Sequence, residues 1–176
     1  MRLRSLTHLV SELLLEEKSD RIIILGSSSL LATFPELGEQ GSPLETTYDV
    51  DCLLEPINRD LALRLAAEFG INAGFHAKHG YHADILHPTI VESLPPGWEA
   101  RLVAVDGFDN VFALDPYDLA AVKVVVGREK DLALVRGLLG LGKITADGLR
   151  ERLHAMLLGE KEIFRAGRNF SALTAP

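Results

Sequence analysis

Along the first twenty positions the apolar residues Leu3, Leu6, Leu9, Val10, Leu13 and Leu14 recur at steps of three and four, the spacing of a helix with one buried face. The pattern predicts a helix ending near Ser19. Acids sit among its apolar positions, unlike the uninterrupted apolar stretch of a secretory signal, so the segment is read as part of the mature fold. Arg21-Ile-Ile-Ile-Leu25 is a short β-branched run, and Gly26-Ser-Ser-Ser29 supplies the small polar residues of a tight turn into a following helix. Phe34 to Thr46 has two prolines, two glycines and three glutamates without a period. It is expected to be irregular and exposed.

Tyr48 to Leu54 reads as a strand, and Asn58 then caps an amphipathic helix that carries Leu61, Leu65 and Phe69 to Gly70. Ala73 to Leu86 is expected to form a hairpin turning at Lys78-His79-Gly80. Beyond Pro95-Pro96-Gly97, Arg101 to Val105 and Val111 to Leu114 read as strands joined by a turn that holds Asp106 and Asp109. Asp115-Pro116-Tyr117-Asp118 is a helix start, with an acceptor at the cap and proline at the first helical position. That helix should run to about Gly127. Further helices are expected near Glu129 to Leu139, from a Thr145 cap to about Leu158, and as a short last one around Ile163. The predicted architecture is α/β (α+β): a mixed sheet flanked by helices over 1–115, closed by a helical C-terminal third over 116–176, the two forming one structural unit.

Composition narrows the function classes. With 47% apolar and 24% charged residues in 176 positions, the chain is neither disordered nor membrane-spanning, since no apolar run approaches the roughly 20 residues that a span requires. A single cysteine, Cys52, cannot form an intramolecular disulfide or a thiolate zinc site, which fits a cytoplasmic protein. Net charge is −7, but unevenly spread: residues 1–115 carry 8 basic and 18 acidic residues, whereas 116–176 carry 10 and 7. A polyanionic partner would therefore be held by the C-terminal segment or through bound cations.

The chemistry centres on Asp49-Val-Asp51. Residues two apart on a strand point to one face, so the triplet sets two carboxylates side by side, where mutual repulsion raises one pKa or recruits a divalent cation. A solvated strand face is the other reading of such a triplet. Cys52-Leu53-Leu54 continues the strand with apolar residues on both faces, which favours the end of a covered strand and hence a site. Gly26-Ser27-Ser28-Ser29 could hold phosphate oxygens through backbone N–H groups and hydroxyls, or could simply be a capped turn. Lys123 is the only charge in Leu119 to Val126, a helix apolar nearly all round. Such a lysine snorkels, pairs or serves a site. Past Gly127, Arg128 and Lys130 could reach phosphate or acceptor while Asp131 pairs with a base. His76, His79, His82 and His87 lack the spacing of a zinc site and read as surface hairpin residues. Cys52 points away from the acids and is read as a core residue.

A glycine-serine turn after a first strand, followed by a D-x-D strand, resembles the nucleotidyltransferase superfamily related to DNA polymerase beta. The runs Asp118-Leu-Ala-Ala-Val-Lys123 and Gly127-Arg-Glu-Lys-Asp131 look like the AbiE-type toxin nucleotidyltransferases and their uncharacterised relatives; the resemblance spans Ile22 to Leu139. It implies a two- or three-carboxylate site for Mg2+ or Mn2+ that positions a nucleoside triphosphate while an acceptor hydroxyl attacks the α-phosphate. Carried over, Asp49 and Asp51 would hold metal, Gly26, Ser27 and Ser28 would bind phosphate, and Lys123 would neutralise it. For a third carboxylate we choose Asp84, in the next strand region, over the turn residues Asp106 and Asp109. The acceptor implied is RNA, a protein hydroxyl or a small molecule, with an antitoxin as a further partner. The alternative is a catalytically silent module of the same fold that binds nucleotide or protein.

Overall fold

The structure, a computed structural model, describes residues 1–16 and 19–175. The chain divides into two units, one of Met1–Ile90 with Leu102–Leu114, the other of Val91–Arg101 with Asp115–Pro176.

In the first unit, α1 (Leu3–Glu16) buries Leu6, Leu9, Val10 and Leu13, the stripe its spacing predicts. Its expected end near Ser19 involves residues 17 and 18, which lie outside the described ones. Strand β1 (Arg21–Ile24) leads through a 3-10 turn at Ser27–Ser29 into the single-turn helix α2 (Leu30–Thr33). Strand β2 (Asp49–Glu55) is followed by α3 (Arg59–Phe69), where the Asn58 side chain accepts from the Leu61 N–H at 2.9 Å as the cap predicted. The stretch from Phe34 to Thr46 is less irregular than expected. It contains a 3-10 turn at Pro35–Gly38, and Leu37 and Leu44 are buried and bonded to each other by a 2.9 Å backbone hydrogen bond. Two leucines in a run without periodicity are enough to pin it to the core.

The sheet holds five strands in the order β3-β2-β1-β5-β4, with β3 at His82–Ile85, β4 at Val103–Ala104 and β5 at Val111–Ala113. β1 pairs antiparallel with β2 and parallel with β5; β2 pairs parallel with β3, and β4 antiparallel with β5. The sheet is therefore mixed, as expected, and Ile22, Ile23 and Ile24 at its centre are fully buried.

The hairpin expected over Ala73 to Leu86 does not form. Residues Gly74–His79 make a short helix, α4, and the strand after it adds parallel to β2 instead of folding back on its predecessor. Gly80, at φ +78°, ends that helix with its N–H on the His76 carbonyl at 2.8 Å. The positive φ demanded by a helix C-terminus uses the same residue a hairpin turn would, so glycine alone did not discriminate the two.

In the second unit α5 (Pro116–Val126) packs against each of α6 (Glu129–Gly140), α7 (Ala146–Ala155) and α8 (Glu160–Thr174). A helix apolar all round belongs at the centre of such a group. Asp115 caps it, accepting from the Tyr117 and Asp118 N–H groups at 2.9 and 3.2 Å. Thr145 caps α7 in the same way, through the Gly148 N–H. Helix α8 is longer than the short one expected around Ile163. Its buried positions Ala166, Asn169 and Leu173 are sparse and include a polar residue that donates to the Val124 carbonyl at 2.9 Å, so the apolar period under-reports it. Asp118, fully buried, is held by Arg101 through two 3.0 Å bonds and by Arg152.

Candidate active site

Parallel pairing of β2 with β3 sets Asp51 opposite Asp84 and Asp49 opposite His82. Alternation along β2 buries Val50 and Cys52 on one face and leaves Asp49 and Asp51 half-exposed on the other. One carboxylate oxygen from each of Asp49, Asp51 and Asp84 lies within 4.8 Å of the other two. The long-range register thus supplies the third carboxylate, and it is the aspartate chosen from the sequence.

Three carboxylates at this separation repel one another; a single pair at about 4 Å costs on the order of 4 kcal/mol in the effective dielectric of a protein surface. A divalent cation offsets that cost. An all-oxygen donor set is suited to Mg2+ or Mn2+ rather than to zinc. The residues present fit such an ion.

Gly26 follows β1 and abuts one of these carboxylates, Asp51. A Cβ built there would overlap Asp51 Oδ2 and lie 2.6 Å from its Cγ. Gly26 has φ −84°, so it is space for Asp51, not backbone conformation, that requires glycine. Gly26 and Ser27 are partly exposed, whereas Ser28 and Ser29 are buried, their hydroxyls without a hydrogen-bond partner among the described residues. Cys52 is buried, and burial together with the Asp51 and Asp84 carboxylates pushes its thiol well above the ordinary range. It is no nucleophile.

Lys123, in the second unit, is buried and donates from Nζ to Asp131 Oδ1 at 2.6 Å. Arg128 donates to the other oxygen of Asp131 at 2.5 Å. Asp131 is therefore the clamp anticipated for it. Burial raises its carboxyl pKa, but the bonds from Arg128 and Lys123 outweigh burial and hold it below the ordinary 3.8. Lys130 is exposed on α6.

Against the reading of His82 as a surface hairpin residue, the structure buries its imidazole beside the triad. His82 is buried, with Nε2 3.5 Å from Asp84 Oδ1. The signal was present in His82-Ala83-Asp84, the same two-residue spacing that makes Asp49-Val50-Asp51 informative.

A family model described as a nucleotidyltransferase of unknown function (DUF6036) matches residues 1–166. The chain belongs to this family. Among curated proteins and solved structures, none matches the chain. Membership of the DUF6036 nucleotidyltransferases accords with the acidic strand pair and with the superfamily resemblance carried by the glycine-serine turn. Among the described residues no helix is long and apolar enough to cross a membrane.

Proposed function

We propose that this DUF6036 protein transfers a nucleoside monophosphate from a nucleoside triphosphate to an acceptor hydroxyl, with Mg2+ or Mn2+ held by Asp49, Asp51 and Asp84. The observation that carries the reading is the convergence of those three carboxylates on one sheet face beside Gly26. A divalent ion bound there would supply charge neutralisation and lower the pKa of a coordinated hydroxyl. The chain's own part is to hold the carboxylates in place and offer the Gly26 and Ser27 turn to phosphate oxygens.

RNA is our preferred acceptor. The exposed face of α8 carries Lys161, Arg165 and Arg168 around Phe164, which is 75% exposed. Cations at helical spacing with an aromatic ring between them suit phosphates and an unstacked base. Glu160 shares the first turn, while Glu162 is engaged in capping the Gly159 N–H at 3.0 Å. A protein hydroxyl and a small molecule are the alternatives the assay separates. The likeness of Asp118 to Lys123 and Gly127 to Asp131 to AbiE-type toxins supports a toxin role with an antitoxin partner, and the lone buried thiol of Cys52 supports a cytoplasmic setting.

Incubation with each α-labelled nucleoside triphosphate and Mn2+ or Mg2+ tests the proposal, with bulk RNA and the protein itself as acceptors and Asp49→Ala alongside. Label that disappears in Asp49→Ala is expected. Calorimetric binding of nucleotide with no Asp49-dependent label on any acceptor would instead identify a silent binding module.

A further inference from the structure

On the face of the sheet that carries the triad, β2 and β3 present four side chains in a two-by-two arrangement: Asp49 beside His82, and Asp51 beside Asp84. Three corners are carboxylates and the fourth is an imidazole. The converging oxygens belong to the aspartates, and His82 stands behind one of them. Its ring is 8% exposed, its Nε2 lies 3.5 Å from Asp84 Oδ1, and its Nδ1 is buried without a partner among the described residues. Of its two ring nitrogens, Nε2 is thus the one turned toward the carboxylate.

The ring is itself held. His76, on α4, packs edge-on against it with centroids 4.9 Å apart and planes at 62°. The Asn72 N–H fixes His76 in turn, donating to Nδ1 at 3.0 Å from a residue at φ +65°. The helix that replaced the expected hairpin therefore has a visible consequence at the site. Asp84 needs such support more than its partners do, because it sits on an edge strand of four residues and its side chain is 48% exposed.

We propose that His82 is a positioning residue: it fixes one oxygen of Asp84 so that the other faces the cation seat, with His76 as its backing. Partners of ligating carboxylates act in this way, and their loss costs metal affinity without removing a ligand. The inference rests on the reading of the triad as a cation site.

The test is titration of Mn2+ alone into the full chain, followed by electron paramagnetic resonance, for wild type, Asp49→Asn, His82→Leu, His82→Gln and His82→Asn. Wild type is expected to bind Mn2+ and Asp49→Asn to lose it. His82→Leu should bind about tenfold more weakly. His82→Gln, whose amide nitrogen reaches the place of Nε2, should come back to within about threefold of wild type, and the shorter His82→Asn should not. A leucine variant as tight as wild type overturns the proposal, as does a glutamine variant no tighter than asparagine, a comparison that stands even if the leucine variant fails to fold. Failure of wild type to bind Mn2+, or indifference to Asp49→Asn, would instead remove the cation reading, a result separable from failure of His82 alone.

Discussion

Replacing Gly26 by alanine adds one methyl group at the point where the first strand turns past the acidic pair. The backbone there, at φ −84°, accepts alanine without strain, so the whole effect is steric. The new Cβ would stand 2.6 Å from Asp51 Cγ and 3.0 Å from its Cβ, and would overlap Oδ2. Ordinary contact begins near 3.4 Å, so Cγ must retreat by about 0.8 Å and the carboxylate oxygen by more. A reacting constellation tolerates about 0.5 Å, and a displacement of about 1 Å costs on the order of a hundredfold in rate. The obstructing atoms are mostly the end of a side chain that can rotate aside, so the fold should lose only about 1 to 2 kcal/mol. The assay pairs Mn2+ titration and label transfer with thermal unfolding. At least tenfold weaker binding and on the order of a hundredfold slower transfer, with unfolding little changed, is the expected outcome. Wild-type affinity and transfer in Gly26→Ala would refute the packing argument and with it the place of Asp51 in the site.

Asp131→Ala leaves the Lys123 ammonium buried without its partner and should cost about 3 to 5 kcal/mol, read by chemical denaturation; Lys123→Met, which leaves Arg128 on the carboxylate, should cost less. Because the folded-state pKa of Asp131 is depressed, its contribution is present above its ordinary 3.8 and is lost as pH falls through the lower folded value. The stability difference between wild type and Asp131→Asn should therefore be level from pH 7 to 5 and shrink toward pH 3; a difference that grows on acidification would contradict the ion pair. Reversing Arg165 and Arg168 to glutamate should lower RNA labelling and flatten its salt dependence while leaving Mn2+ affinity unchanged, and equal labelling would remove α8 as the RNA surface. Expression in bacteria should slow growth, and Asp49→Ala should abolish the effect; toxicity indifferent to that change would separate a toxin role from the triad.

Local signals were legible where they were strong. Asn58, Asp115 and Thr145 announced three helices because a side-chain acceptor next to an apolar period needs no distant partner to act. Asp49 and Asp51 were legible for the same reason, since strand alternation alone puts them on one face. The hairpin error lies at the opposite extreme. Parallel pairing of β3 with β2 joins residues some thirty positions apart, and no residue type in His82 to Ile85 encodes the direction of a neighbour. Asp84 was placed by the order of strands, and the long-range register then set it opposite Asp51. His82 was read as one of several surface histidines because the group lacks metal-ligand spacing and burial on an edge strand leaves no mark in the sequence. Helix α8 came out short in the sequence because its buried side uses alanine and asparagine, where the apolar period has little to count.

The strand that completes the triad is at one edge of the sheet, only four residues long, and pairs with a single strand. A slip of one position would exchange Asp84 for Ala83 or Ile85 and turn both His82 and Asp84 to the far face. Chemical competence is thereby tied to the alignment of one edge strand with its neighbour. A register error that would be silent on a featureless margin would here cost the protein its third carboxylate.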